Sequence, residues 1–156
     1  MRSLASAAGA PAASPGTLRA ARLAVAALVT AFLLALAPAA ADAKLIMFSA
    51  PSHNIGCAMN NSFARCDVAN RTWRTPAKPR GCMLDWGNGF FVERRGRGRV
   101  VCAGDTTVNP RGPVLAYGKS RSMGAFTCTS RRAGMTCSHS GSGHGFTVSR
   151  SAYRVF

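Results

Sequence analysis

Six cysteines constrain this chain more than any other feature, and all six lie after residue 56. None forms a C-x-x-C pair, so neither the close thiol pairs of a zinc site nor those of a redox motif are present. An even cysteine count in an exported domain reads as a disulfide framework. The spacing is informative. Eight residues separate Cys57 from Cys66, and eight separate Cys128 from Cys137. In an antiparallel hairpin, opposite residues have positions that sum to a constant. If Cys57 faces Cys66, the turn falls on Asn61-Ser62, with Asn60 and Phe63 as the flanking hydrogen-bonded pair. Counting outward puts the cysteines at a non-hydrogen-bonded pair, where α-carbons lie about 4.5 Å apart. That separation is one a disulfide tolerates.

The same count sets Cys128 opposite Cys137 across a turn at Arg132-Ala133. Phe126 and Cys128 then share one face, as do Met135 and Cys137, while the intervening threonines point the other way. Arg-Ala is a poor two-residue hairpin turn, and Gly134 suggests a longer, symmetric loop there. Cys82 pairs with Cys102 by elimination. Spacing alone does not select among the connectivities open to six cysteines. The set 57–66, 82–102 and 128–137 is preferred as local and unknotted.

Export is read from the N-terminus. Arg2, Arg19 and Arg22 precede a 15-residue apolar run, Leu23 to Ala37, broken only by Thr30; Pro38 and the small residues of AAADAK follow. This is the layout of a cleaved signal peptide over residues 1–43, with cleavage after Ala41 or Ala43. The run falls short of the roughly 20 residues that span a bilayer as a helix. A mature domain over residues 44–156 is expected, secreted or held in the envelope or periplasm, with no transmembrane helix. That stretch carries 17 Lys and Arg against four acids, Asp67, Asp85, Glu93 and Asp105. Such charge bears on partner choice and not on fold. Outside a cell, the anionic partners on offer are wall polymers, acidic glycans, phospholipid head groups and extracellular nucleic acid.

Helical periodicity is nearly absent after residue 43. Short apolar or alternating runs appear instead at 45–49, 54–59, 64–68, 89–93, 99–103, 113–117, 124–129, 134–139, 145–149 and 152–156, parted by Gly, Pro, Asn and Ser. Regular short strands with turn signals predict an all-β, disulfide-stapled antiparallel sandwich or barrel built from hairpins. Residues 70–81, with two prolines and four basic residues, read as an extended loop.

Candidate functional residues are few. GSGHGF, residues 141–146, places glycines at 141, 143 and 145, which fits no dinucleotide fingerprint. A phosphate-binding loop needs a following Lys-Ser/Thr and a helix, and here FTVSR continues as a strand. His144 remains a candidate acid or base near neutral pH, with His53 or His139 as a second imidazole and Asp105 as a possible carboxylate partner. That constellation defines the alternative function, a small metal-free hydrolase of the phosphodiesterase or ribonuclease kind. Against it, a glycine-flanked polar residue is first of all a turn signal, with Gly143 and Gly145 supplying positive φ. Paired carboxylates serve glycoside hydrolysis, but Asp85 and Asp105 beside turn glycines read as turn caps. VERRGRGRVV, residues 92–101, sets Arg94, Arg95, Arg97 and Arg99 at a hairpin tip. Arginine forks suit phosphates and carboxylates. With Tyr117 and His144, these arginines form the candidate binding set. Only Phe90 and Phe91 lie near the cluster in sequence, too few for a base-stacking platform. The preferred function is a non-enzymatic, monomeric module that binds anionic envelope or extracellular polymers through its basic surface, with no cofactor and no metal.

The fragments FSAPSHNIGCAM, ARCDV, CMLDWG, VCAGDT, VLAYGKS, FTCTS and GMTCSHSGSGHGFTVSRSAYRVF, in that order, resemble a family of small secreted bacterial proteins, mainly actinobacterial, known as a domain of unknown function. The resemblance covers nearly all of residues 44–156. It implies six framework cysteines, the D-W-G and G-D-T turns, the Y-G step and the G-H-G-F segment with His144. His53 departs from it, since glycine is expected in SPSGNIGC, which weakens a functional case for His53. The resemblance supports fold, export and cysteine roles and implies no activity.

Overall fold

The computed structural model describes residues 44–156; the expected signal peptide over residues 1–43 lies outside them. Ten strands follow in order: β1 Ile46–Ser49, β2 Ile55–Met59, β3 Phe63–Val68, β4 Trp86–Glu93, β5 Arg99–Cys102, β6 Ser120–Met123, β7 Phe126–Arg131, β8 Gly134–His139, β9 Gly145–Val148 and β10 Tyr153–Val155. They form two five-stranded antiparallel sheets, each a meander in chain order, β1-β2-β3-β4-β5 and β6-β7-β8-β9-β10. The sheets pack face to face, so the fold is a sandwich and not a closed barrel.

The cysteine arithmetic places the hairpins. Cys57 is registered with Cys66 and Cys128 with Cys137. Disulfides join Cys57–Cys66, Cys82–Cys102 and Cys128–Cys137, and both hairpin disulfides have α-carbons 4.1 Å apart. The Asn60 amide donates to the Phe63 carbonyl at 3.0 Å, closing the Asn61-Ser62 turn. The second hairpin corrects the longer loop expected there. Arg131 is registered with Gly134, so Arg132-Ala133 is the two-residue turn after all. Gly134 makes this possible by taking φ +137°, which spares Arg132 and Ala133 a positive φ.

Following the register across each sheet exposes a repeat. In the first meander a row runs Phe48, Cys57, Cys66, Phe90, Val100. In the second it runs Arg121, Cys128, Cys137, Phe146, Val155. The rows meet at the centre of the core. Cys66 Sγ lies 3.5 Å from Cys137 Sγ, Phe90 packs on Phe146 at 6.2 Å, and the Arg121 guanidinium lies over the Phe48 ring at 5.7 Å. Phe48, Phe90, Phe126, Phe146, Met59 and Met135 are the largest buried side chains around these rows. Each buried side chain of this size contributes about 1.5–3 kcal/mol through removal from water.

Two segments differ from expectation. Residues 113–117 are not a strand; only Val114 bridges, in parallel, to Ser49 at the edge of β1. Their apolar character reports the burial of Leu115 and not strand pairing. The pairing edge is β6, whose sequence SRSM is polar because it is solvent-exposed. Residues 70–81 form the expected loop, pinned by Trp73, which packs edge-on to Tyr153 and donates from Nε1 to the Ser149 carbonyl at 3.0 Å.

Candidate functional site

The register divides the candidate residues between the two ends of the sandwich. At one end lie the β2–β3 turn, the tip of the β4–β5 hairpin and the β8–β9 turn that contains His144. Gly98, at the base of the arginine tip, donates its amide to the Phe156 carbonyl beside Gly145. The tip is less uniform than its sequence. Arg94 donates from Nε to the Asn61 carbonyl at 3.0 Å, and Arg99 pairs with Glu93 and lies over the Phe91 ring at 4.8 Å. Arg95 and Arg97 are exposed.

His144 is half-buried, and among the described residues its ring has no hydrogen-bond partner. Its backbone does the work: the amide donates to Ser142 Oγ at 3.3 Å, and the carbonyl accepts from the His139 amide at 2.9 Å. The imidazole with partners is His139, whose Nδ1 accepts from the Ser142 amide at 3.1 Å and lies 3.2 Å from Ser142 Oγ. An accepting Nδ1 places the proton of the neutral ring on Nε2. This is a turn held by its own side chains. Gly143 has φ +69°, as expected, but Gly145 does not have positive φ. Gly145 is required for another reason. A β-carbon there would run into the Cys137 carbonyl and the Ser138 α-carbon.

Asp105 is committed elsewhere. Its carboxylate receives Arg65 Nη1 at 2.7 Å, and Arg65 Nη2 also reaches its carbonyl at 2.8 Å. The hydrogen bond from Arg65, and then its charge, hold the Asp105 carboxyl below the usual carboxylate range. Burial disfavours the charged Arg65 guanidinium, but Asp67 and Asp105 outweigh that and raise its pKa. Asp67, 1% exposed, takes Arg65 Nη2 at 2.7 Å and the Thr107 amide at 2.9 Å. Thr107 Oγ1 in turn donates to the Gly56 carbonyl at 2.6 Å. The G-D-T turn therefore seals the outer face of the first sheet and contributes no free base.

The opposite end carries a cleft of about 550 Å³. Its wall includes Arg131 at the end of β7, Arg132 from the β7–β8 turn, Arg150 after β9, His53 from the β1–β2 loop, and Tyr117. Among the described residues, no carboxylate lines it. The Arg132 guanidinium lies over the Tyr117 ring at 5.4 Å. The floor is braced by Asn54, which donates from Nδ2 to the Asn70 carbonyl at 2.9 Å and accepts from the Asn70 amide at 2.8 Å. His53 has φ +53°, the one non-glycine residue with positive φ among those described. Such a conformation costs of order 1 kcal/mol or more. Of the candidate binding residues only Tyr117 reaches this cleft. Arg131, Arg132 and Arg150 were missed because the first two read as a turn and the third lies 18 residues on. The basic doublet in a hairpin turn was the available signal.

The Cys57, Cys66 and Cys137 sulfurs lie within 4.8 Å of one another, but all three are in disulfides. No thiolate remains there to hold a metal. Among the described residues, no helix is long and apolar enough to cross a membrane.

Fold and framework define a class, a disulfide-stapled antiparallel β-sandwich of two repeated meanders. The chain belongs to the family of unknown function DUF6636, whose model matches residues 27–156. No curated protein and no solved structure matches it.

Proposed function

We propose that the protein is an exported, non-enzymatic module that binds anionic envelope or extracellular polymers. One observation carries the reading. Three of the four acids in residues 44–156, Asp67, Glu93 and Asp105, are taken up by just two cations, Arg65 and Arg99. The remaining arginines have no salt-bridge partner among the described residues, and most are exposed. A surface with this surplus attracts polyanions, and it does so in a salt-dependent way.

The test presents heparin, RNA and wall polymer separately to the purified protein. Retention on polyanions that weakens as salt rises, without cleavage of any of them, is the expected result. Turnover of a polymer that disappears in His144→Ala overturns the binding-only reading in favour of the hydrolase. Failure to retain any polyanion at low salt removes it altogether.

A further inference from the structure

The basic cleft does not end at Arg150. A second hollow of about 470 Å³, lined by Arg71, Trp73 and Thr75, shares Ala69, Asn70 and Arg150 with it. The two form one trough across the end of the sandwich, from Tyr117 and Arg132, past Arg150, to Trp73 and Arg71. Its extremities are built alike. Arg132 lies over Tyr117 at 5.4 Å, and Arg71 lies over Trp73 at 5.0 Å. Arg71 is held further by neutral acceptors, Thr75 Oγ1 at 3.2 Å and Asn88 Oδ1 at 3.4 Å. These contacts orient its guanidinium without neutralising it. Among the described residues, no carboxylate lines either hollow.

The geometry points to this trough as the seat of an extended polyanion of phosphate groups carried on a non-aromatic backbone. The inference rests on the polyanion reading above and assigns it a location. Several arginines along one line fit charges repeating along one chain, and guanidinium forks match phosphate oxygens. The aromatic rings argue against a nucleic acid. Trp73 has Arg71 over it, packs on Phe90 at 5.5 Å and on Tyr153 at 5.0 Å, and uses its Nε1–H on Ser149. Tyr117 already carries Arg132. Trp73, committed in this way, has little surface left for stacking bases, and the exposed Tyr117 is a single ring and not a row of them. A strained non-glycine residue, His53, at the rim agrees with a site shaped for a ligand.

The test compares two charge-matched triple variants of the full protein: Arg71→Gln/Arg132→Gln/Arg150→Gln in the trough, and Arg94→Gln/Arg95→Gln/Arg97→Gln at the opposite end. The probes are linear inorganic polyphosphate, poly(glycerol phosphate) and poly(A) RNA, titrated over a range of salt. Thermal melting checks that each variant is folded, and Arg132→Lys/Arg150→Lys, which keeps the charge but not the fork, serves if the trough triple is not. The trough variant is expected to bind polyphosphate at least about tenfold more weakly and to lower the salt slope by about one per arginine removed. The tip variant is expected to change both much less. The two phosphate polymers distinguish phosphate spacing along the chain, and either one lost selectively in the trough variant supports the site. Equal losses in both triples, with wild-type binding intact, overturn the trough but leave the polyanion reading standing. Tighter binding of poly(A), lost in the trough variant, overturns the non-aromatic ligand. Absence of wild-type binding to every probe defeats the general reading itself.

Discussion

The two meanders share a plan and differ in how each finishes its outer face. Both carry a cross-strand disulfide between their second and third strands and a phenylalanine on their fourth. Their inner rows meet through Cys66 and Cys137. Outside, they diverge. The first sheet sets Arg65 and Asp67 on its outer face and covers them with residues 103–109, so β2 is buried along its whole length. The second sheet stays open and pairs hydroxyls across its strands: Ser120 with Thr129 at 2.8 Å, Ser122 with Thr127 at 2.8 Å and Thr136 with Thr147 at 3.0 Å. One core design thus tolerates a sealed ionic face and a wet hydroxyl face, because the facing inner rows supply most of the buried apolar surface.

The widest test of the shared plan is the disulfides. Both hairpin bridges span nine residues of sequence and have fully buried sulfurs. Chain-closure entropy depends on loop length alone in the simplest account, so each contributes about 2.7 kcal/mol. Lost packing of the two sulfurs adds to this. Cys57→Ala/Cys66→Ala and Cys128→Ala/Cys137→Ala are expected to destabilise by about 3–5 kcal/mol, and by equal amounts within about 1 kcal/mol. Denaturant melts of both variants check it; a large inequality means the meanders are not energetically equivalent. Because Cys66 touches Cys137, the combined variant should depart from additivity.

The outer faces should separate the meanders next. Asp67→Ala leaves Arg65 with only the exposed carboxylate and the carbonyl of Asp105, and strands the amide of Thr107. Breaking a buried pair of this kind costs about 3 kcal/mol. Thr136→Val removes one hydroxyl from a partly buried neutral pair and should cost less than about 1 kcal/mol. Urea midpoints of the two variants at constant slope give the comparison directly. Similar losses would mean that the ionic cluster is no more important to its sheet than the hydroxyl ladder is to the other.

The two meanders were legible in sequence through different signals, and the divergence of the faces explains why. In FTCTS and GMTCSH, cysteine and threonine alternate because one face is wet, and the register of Cys128 with Cys137 follows from the count. In IGCAM no alternation survives, since residues 103–109 remove the solvent that would have demanded it; a short apolar run and the cysteine spacing placed that strand. The exposed edge β6 lacked any apolar signal, whereas 113–117 had one for a different reason, the burial of Leu115. The basic trough was hidden more thoroughly. Arg71, Arg132 and Arg150 are dispersed in sequence, and only the stacking of the two meanders brings them to one end. The compact arginine run at 94–99 is conspicuous in sequence because its residues are neighbours along the chain, yet two of its four are tied locally.

The smallest expected effect concerns pH and again sets the sealed face apart. Arg65 holds the Asp105 carboxyl below its ordinary value, so the folded state gives up this proton more readily than the unfolded chain. Stability from the pair is therefore fully present above the unfolded carboxyl value, about pH 4, and is lost as the pH falls through the lowered folded value. Asp105 is exposed, so solvent screens the pair and its contribution stays within the range of surface ion pairs, up to about 1 kcal/mol. Asp105→Asn should melt slightly below wild type at pH 6, and the gap should close as both are taken to strongly acid pH. Added salt should narrow the gap at pH 6, as it does for exposed charges. Absence of a gap at pH 6 would show that Asp105 holds the 103–109 segment through its backbone carbonyl contact to Arg65, which Asp105→Asn keeps, and not through its charge. The hydroxyl-paired sheet offers no counterpart, since the Ser and Thr pairs on its outer face do not titrate in this range.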